Sequence, residues 1–388
     1  MEKERLAKLR RACLEEGLDA FLARGTSNIF WLSCFDDVFD EERAHALLVG
    51  AHEAKLHTDS RYSEAARRAA EGAGGAIAVT DERVTHAKFT VAALAAHDAR
   101  VARDACGASD EAGMRASAPL RLGIEDDLLL REFRALEAAC AEADRDVELQ
   151  ETSGFVERLR SVKDRNEVDR MRAAQEVTDA AFLHIVSFMK PGMTEREVQI
   201  ELDDYLRRRG AQDLAFPSIV ATGAHAASPH AVPGSTKLEA GQCVVMDFGA
   251  KVAGYCSDMT RTVFLGSPSA RMREAYSAIR QANEQAEALL RSGVTGREAH
   301  ELAERVLAEH GFAGKMGHAL GHGVGIDIHE DPVLAPRNET PLVAGNVVTV
   351  EPGVYLSGEF GMRLEDFGVI TEQGFDVFTK STHEMVIL

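Results

Sequence analysis

Two pairs of carboxylates in the second half of the chain have the spacing of a metal site. Asp247 and Asp258 flank a segment that reads as one β-hairpin, and Glu351 and Glu365 flank another. A turn at 251–254 places the two aspartates opposite each other, and a turn midway between the glutamates pairs them in the same way. Like charges directly opposed in a sheet are destabilising. Two such pairs predict a cation site, whereas exposed acids on sheet edges are the alternative.

The elements that must position these acids occur twice. Residues 192–210 and 293–311 share one pattern: a glycine, a Thr-x-x-Glu motif, a helical stretch and a closing glycine. Thr-x-x-Glu forms a capping box at a helix start, and glycine commonly ends a helix. A longer amphipathic run precedes each copy, at about 165–189 and 270–291. A duplicated helix–helix–hairpin unit predicts two pseudo-symmetric halves with the four acids at their junction.

A glycine-rich segment between the hairpins, residues 317–330, carries three histidines. Glycine crowding indicates close backbone approach or positive φ. A phosphate-binding loop is one interpretation, but the segment contains no lysine. We interpret His322 as a metal ligand on a constrained loop and place His329 on the strand that follows.

Four carboxylates and one imidazole would almost neutralise two divalent ions. Oxygen-rich ligand sets favour Mn²⁺, with Co²⁺ or Zn²⁺ possible, over metals that prefer thiolates. Two such ions activate water and polarise a carbonyl group, so the sequence predicts a hydrolytic centre. Cys243 and Cys256 lie near the acids in sequence, and we interpret both as small packing residues.

Composition limits the number of domains, the partners and the compartment. A chain of 388 residues with 45% hydrophobic residues can form two or three domains with sizeable cores. The formal net charge of −19 argues against nucleic acid or an anionic membrane as a partner. No apolar run is long enough for a transmembrane helix. Six cysteines without a CxxC motif and a charged N-terminus predict a cytoplasmic location.

The first 150 residues are predicted to form a separate α/β unit, and residues 151–388 the unit that carries the acids. Strands are predicted at Asp19–Ala23, Asn28–Ser33, Ala44–Val49 and Ala54–Thr58, and helices at Glu2–Glu16, Ser63–Glu71, Thr85–Ala96 and Leu130–Asp144. Histidines of this unit lack ligand spacing and are interpreted as surface or packing residues: His45, His52, His57, His86 and His97.

Several motifs of the second unit resemble the pita-bread metallopeptidase family, which includes methionine aminopeptidase, prolidase and aminopeptidase P. The matching segments are 246–249, 255–261, 321–330, 350–355 and 363–366. The resemblance implies two divalent ions with five protein ligands: Asp247, Asp258, His322, Glu351 and Glu365. It also implies that Asp258 and Glu365 bridge the two ions. Asp247 is then expected to complete the ligands of one ion, and His322 and Glu351 those of the other.

The resemblance assigns roles to further side chains. Glu351 is expected to shuttle the proton of the nucleophile. His230 and His329 match active-site histidines that hold substrate, stabilise the tetrahedral intermediate and help protonate the leaving nitrogen. Other expected neighbours of the acids are Thr260 and Arg363 as orienting groups, His225 and His318 as support, and Phe216, Val232 and Tyr355 in an apolar proline pocket or in the core.

The resemblance places the chain in the proline-specific branch, as an α/β protein with a creatinase-type domain at 1–150 and a pita-bread catalytic domain at 151–388. The expected activity is removal of the residue ahead of proline from peptides with proline at the second position, by a homodimer. An Xaa-Pro bond lacks an N–H, so its cleavage needs a specialised site. The alternatives are a prolidase restricted to dipeptides, a creatinase-like small-molecule hydrolase and a non-catalytic binding protein.

One position bears on the choice between the first two activities. Prolidases of this family commonly carry an arginine directly after His-Glu-x-Pro, where it can bind the carboxylate of a dipeptide. Here Val333 follows Pro332, and Arg337 lies beyond a second proline. The sequence therefore predicts an open, uncharged end to the cleft that admits peptides longer than two residues.

Overall fold

The computed structural model describes residues 1–40, 42–104 and 118–388, and it forms two compact units, Met1–Leu159 and Arg160–Leu388. The side chain of His97 and the whole of Cys106 lie outside the described residues. The first unit extends past residue 150 because Val147–Thr152 pairs with its sheet. None of the helices in the described ranges is long and apolar enough to cross a membrane.

The first unit is a six-stranded mixed sheet with helices, in the strand order β4-β3-β2-β1-β5-β6. Its strands are β1 (Ala20–Ala23), β2 (Ala46–Gly50), β3 (Ala54–His57), β4 (Ala78–Thr80), β5 (Leu120–Glu125) and β6 (Val147–Thr152). Its helices are α1 (Glu2–Glu15), α2 (Thr26–Ser33), α3 (Ser63–Ala73), α4 (His86–Asp104) and α5 (Leu130–Ala141), followed by α6 (Phe155–Arg160), whose last residue is the first of the second unit.

One predicted strand of this unit is wrong, because residues 28–33 belong to helix α2. The run Ile-Phe-Trp-Leu favours a strand locally. In the fold, the buried carboxylate of Glu125 accepts hydrogen bonds from the backbone N–H groups of Arg24 and Gly25, both at 2.7 Å, and from the Asn28 amide at 2.8 Å. This acid from β5 therefore holds the two residues that directly precede α2, a contact between distant segments that local sequence cannot reveal.

The second unit contains the predicted duplication. Its helices are α7 (Arg165–Phe188), α8 (Glu195–Arg208), α9 (Ala270–Leu289) and α10 (Gly296–Glu309). Both predicted capping boxes are present, at the starts of α8 and α10. Gly210 and Gly311 follow these two helices with φ of 111° and 80°, the left-handed region that favours glycine.

The strands of the second unit form two main sheets, ordered β20-β12-β9-β8 and β14-β13-β15-β18-β19, and two small ones. The strands are β7 (Asp213–Leu214), β8 (Ile219–Thr222), β9 (Cys243–Phe248), β10 (Ala250–Val252), β11 (Tyr255–Cys256), β12 (Met259–Phe264), β13 (Gly321–Gly323), β14 (Glu330–Leu334), β15 (Val347–Val350), β16 (Gly353–Leu356), β17 (Phe360–Arg363), β18 (Asp366–Ile370), β19 (Phe375–Val377) and β20 (Val386–Ile387). Each helix pair packs on one main sheet and so forms one of two matching cores.

The predicted register of the first hairpin is wrong by two residues. The turn consists of Ala253 and Gly254, with φ of 48° and 79°, and Asp247 pairs with Thr260. A two-residue turn with positive φ at both positions suits the twist of a hairpin. Because side chains alternate with a period of two, a shift of two residues leaves Asp247 and Asp258 facing the same side.

The register of the second hairpin agrees with the prediction. Val350 pairs with Asp366 in one sheet, and Gly353 pairs with Arg363 in the next. Glu351 and Glu365 lie in the short interruption between these pairs. The flanking pairs therefore keep the alignment that places the two glutamates opposite each other.

Candidate metal centre and active-site cavity

Four acids line one cavity of the second unit, with a volume of about 610 Å³. Asp247 lies in β9 and Asp258 directly before β12, while Glu351 directly follows β15 and Glu365 lies between β17 and β18. Asp258 and Glu365 are 3% and 2% exposed. The two halves of the unit therefore each contribute two acids to a single buried position.

The electrostatics of this position fit divalent cations. Burial, reinforced by repulsion from the neighbouring acids, raises the pKa of Asp258 and of Glu365 well above the ordinary carboxyl value. Burial also raises the pKa of Glu351. One oxygen of Asp247, Oδ1, is buried without a hydrogen-bond partner among the described residues. Crowded, buried carboxylates with an unused acceptor are costly without a compensating charge, and bound cations would supply it.

His322 completes the group of acids from the short strand β13. Its Nε2 lies 3.5 Å from Oδ2 of Asp258 and 3.5 Å from Oε1 of Glu351. Its Nδ1 lies 3.0 Å from the carbonyl oxygen of Gly323, which can accept a hydrogen bond only if Nδ1 carries the proton. In that tautomer Nε2 is unprotonated, and its lone pair faces the acids. The ligand atoms of Asp258, His322 and Glu365 all lie within 4.8 Å of one another, and these residues could hold a metal ion.

Two details of the glycine-rich segment differ from the prediction. His322 lies on a strand and not on a loop, and His329 precedes β14 and is not part of it. A Cβ atom on Gly321 would lie 2.1 Å from the carbonyl oxygen of Thr349, and one on Gly323 would lie 2.6 Å from that of Asp331. These glycines therefore permit close approach of neighbouring strands.

Arg363 and Thr260 hold two of the acids in place. Arg363 donates hydrogen bonds to Oδ2 of Asp247 and, at 2.8 Å, to Oγ1 of Thr260. Thr260 donates in turn to Oε2 of Glu365 at 2.6 Å. Arg363 also donates to the hydroxyl of Tyr355 at 2.7 Å. Tyr355 is not among the residues that line the cavity, so it supports Arg363 and does not form the apolar wall.

Three further histidines line the cavity. The ring of His329 lies 4.4 Å from that of His322, measured between centroids, at an interplanar angle of 65°. Burial lowers the pKa of His329 and of His318, which favours their neutral forms. His230 lies on an exposed loop at the cavity. His225, by contrast, does not line the cavity.

A buried ion cluster beside His329 was not found by reasoning from the sequence. Glu330 accepts a hydrogen bond from Nζ of Lys163 at 2.9 Å and another from Arg160. Burial alone would raise the pKa of Glu330, but the charges of Lys163 and Arg160 lower it to about 2. The cluster ties the residue next to His329 to the segment before α7. No local pattern connects these residues, because they are far apart in the chain.

Part of the cavity lining is apolar. It includes the predicted Phe216 and Val232, together with Pro217, Ile219 and Ile328. Val333 also lines the cavity, whereas Arg337 does not. The cavity therefore combines a wall of acids and histidines with an apolar surface of the kind that a proline ring can contact.

Comparisons with known proteins identify the family. Residues 169–372 match the model of metallopeptidase family M24, and residues 5–162 match that of the creatinase/prolidase N-terminal domain. The peptidase YqhT of Bacillus subtilis is 34% identical over 384 residues, which cover 99% of this chain and 100% of YqhT.

Solved structures give the same result over the full length. The Xaa-Pro dipeptidase from Bacillus anthracis is 35% identical with a TM-score of 0.85, and the match covers 100% of both chains. The X-Pro aminopeptidase from Thermotoga maritima is 30% identical with a TM-score of 0.83, covering 97% of this chain and 100% of that one. These findings confirm the resemblance and the predicted fold class: the chain belongs to metallopeptidase family M24 and carries a creatinase/prolidase N-terminal domain.

Proposed function

We propose that the chain is an Xaa-Pro dipeptidase with a dinuclear metal centre. The observation that carries this proposal is the convergence of buried acids and one histidine in a single cavity of an M24 chain. When bound, two divalent ions would supply an activated water and a polarised substrate carbonyl. The proposed ligands are Asp247, Asp258, His322, Glu351 and Glu365.

The dipeptide specificity replaces the aminopeptidase activity expected from the sequence. A full-length structure with 35% identity is an Xaa-Pro dipeptidase, which supports the alternative. The expectation of longer substrates relied on an uncharged end to the cleft, but Arg196 lines the cavity. An Xaa-Pro aminopeptidase stays the second candidate, because Val333 lines the cavity where an arginine is common in prolidases, and because one relative is an X-Pro aminopeptidase.

The proposed roles of the other residues follow from their positions. Glu351 would take the proton of the attacking water and pass it to the proline nitrogen as the peptide bond breaks. His230 and His329 would donate hydrogen bonds to the substrate, and their donors would stabilise the negative charge that develops on the carbonyl oxygen. Phe216 and Val232 would contact the pyrrolidine ring.

We also propose that the metal is manganese, that the chain forms a homodimer and that the protein is cytoplasmic. The oxygen-rich ligand set favours manganese. A reducing compartment is supported by the described cysteines, all of which are free. Burial raises the pKa of Cys243 and of Cys256 to about 12, so neither thiol is activated for chemistry, in keeping with packing roles.

Replacing His329 or His230 with alanine is expected to lower kcat without removing the metal. Loss of a proton donor or of an intermediate-stabilising group costs about 10²–10⁴-fold in rate. Turnover of Ala-Pro and metal content by elemental analysis would be measured on each variant. His310→Ala, on the surface near the end of α10, is the control and should retain both properties. Metal loss as large as that of His322→Ala would contradict the assignment.

A substrate panel tests the proposed function directly. The manganese-loaded protein is expected to hydrolyse Ala-Pro, to leave Ala-Ala intact and to lose activity in a chelator. A kcat/KM at least tenfold higher for Ala-Pro-Ala than for Ala-Pro would identify an aminopeptidase instead. Absence of Xaa-Pro hydrolysis from both peptides would refute the proposed function.

A further inference from the structure

Two arginines and no lysine line the active-site cavity, and they differ in their contacts. Arg363 is buried and donates hydrogen bonds to Asp247, Thr260 and Tyr355. Arg196 is exposed, and its guanidinium has no hydrogen-bond or ion-pair partner within the part of the chain that the structure describes. The charge of Arg196 acts on the nearby carboxylate of Asp203, but no hydrogen bond or ion pair among the described residues holds its guanidinium.

The duplicated unit offers an internal comparison for this arginine. Arg297 occupies the equivalent position of the second capping-box motif, at the start of α10. Its Nε donates to the carbonyl oxygen of Pro336 at 2.7 Å, and its guanidinium forms an ion pair with Glu339. The second copy thus uses its arginine to hold a surface loop, whereas Arg196 has no such contact.

The backbone of Arg196 is held beside the loop that carries His230. Its N–H donates to the carbonyl oxygen of Gly234 at 3.1 Å. The preceding residue, Glu195, is fully buried; its carboxylate accepts from the N–H of Gly234 at 3.1 Å and lies 2.8 Å from Nδ1 of His225. These bonds fix the start of α8 against the cavity, while the Arg196 side chain keeps its donors free.

We infer that Arg196 binds the α-carboxylate of the dipeptide substrate and thereby favours dipeptides over longer peptides; this inference rests on the proposed dipeptidase activity. With two divalent ions bound, the four acids of the cavity would be almost neutralised, and Arg363 is held by protein groups, so Arg196 is the lining arginine whose donors can bind a substrate carboxylate. A guanidinium can bind a carboxylate through two parallel hydrogen bonds. A longer peptide has a neutral amide at that position and cannot form this charged pair.

The test compares Ala-Pro with Ala-Pro-amide, which differ only in the charge at the end. For the wild type, kcat/KM is expected to be higher for Ala-Pro. In Arg196→Gln this preference should fall about 10- to 100-fold, mainly through KM, because the lost contact is present in both ground and transition states. Arg196→Lys should retain part of the preference. The proposed ion pair between Arg196 and the substrate carboxylate is exposed, so salt screens it. Added salt should therefore raise the KM for Ala-Pro more in the wild type than in Arg196→Gln.

Arg297→Gln is the matched control and should keep the wild-type preference, because Arg297 does not line the cavity. Thermal melting would show whether either variant is misfolded. Arg196 lies in the first turn of α8, where a positive charge opposes the helix dipole, so its removal should not lower Tm. A preference unchanged in Arg196→Gln would overturn the inference and leave the dipeptidase proposal intact. A wild type that cleaves neither peptide would refute the proposed function itself.

Discussion

Replacing Asp258 with asparagine is expected to abolish Xaa-Pro hydrolysis and to stabilise the metal-free protein. The amide removes a proposed bridging ligand, and the loss of activity should exceed ~10⁴-fold, equivalent to several kcal/mol of lost transition-state stabilisation. In the metal-free protein, Asp258 is buried close to Asp247 and Glu351, which repel its charge. Neutralising Asp258 relieves that repulsion, so Tm in a chelator should rise while metal content falls.

The pH dependence of the metal-free protein provides a second measurement on the same variant. The pKa values of Asp258 and Glu365 are raised in the folded state. Their contribution to stability is therefore present below the ordinary carboxyl pKa and is lost as the pH rises through the raised values. Calorimetry in a chelator should show this loss in the wild type and a smaller loss in Asp258→Asn. Asp204→Asn, which affects only an exposed pair with Arg208, should match the wild type.

An Asp258→Asn protein with normal metal content and normal turnover would show that Asp258 is not a ligand. A metal-free variant with a lower Tm than the wild type would show instead that the buried acids do not repel each other in the folded state. The two readouts therefore test the metal assignment and its electrostatic basis separately.

Glu330→Gln is expected to destabilise the protein by about 3–5 kcal/mol, because it leaves Arg160 and Lys163 buried without their shared partner. The side chains of Arg160 and Lys163 are only 4% and 1% exposed. A loss of this size corresponds to a fall in Tm of roughly 10 °C for a unit of this size. Thermal melting with and without manganese would measure it. Unchanged melting would contradict the structural importance of the cluster.

The stabilising effect of Glu330 should depend on pH in the opposite sense to that of Asp258. Its pKa is lowered to about 2 in the folded state. Its contribution is therefore present above the unfolded carboxyl pKa and is lost as the pH falls toward 2. The difference in unfolding free energy between wild type and Glu330→Gln should narrow between about pH 5 and pH 2. Glu339→Gln, whose ion pair with Arg297 is exposed, should change stability by less than about 0.5 kcal/mol.

The sequence alone was sufficient for features that depend on short-range physical chemistry. Capping boxes and closing glycines act within a few residues, so the starts and ends of α8 and α10 could be predicted. The repeated pattern then predicted two matching halves. The order and types of the acids around His322 predicted the family, which the comparisons confirm. The assignment of these residues as metal ligands stays a prediction.

Only the tertiary structure decided features that depend on contacts between distant segments. Residues 28–33 belong to helix α2, and Glu125 from β5 binds the two backbone N–H groups that directly precede this helix. The first hairpin is shifted because Ala253 and Gly254 together adopt positive φ, and the alternation of side chains did not distinguish between registers two residues apart. The different contacts of Arg196 and Arg297 have the same physical origin. Both arginines occupy equivalent sequence positions, but only the folded chain places one against a loop acid and leaves the other facing the cavity.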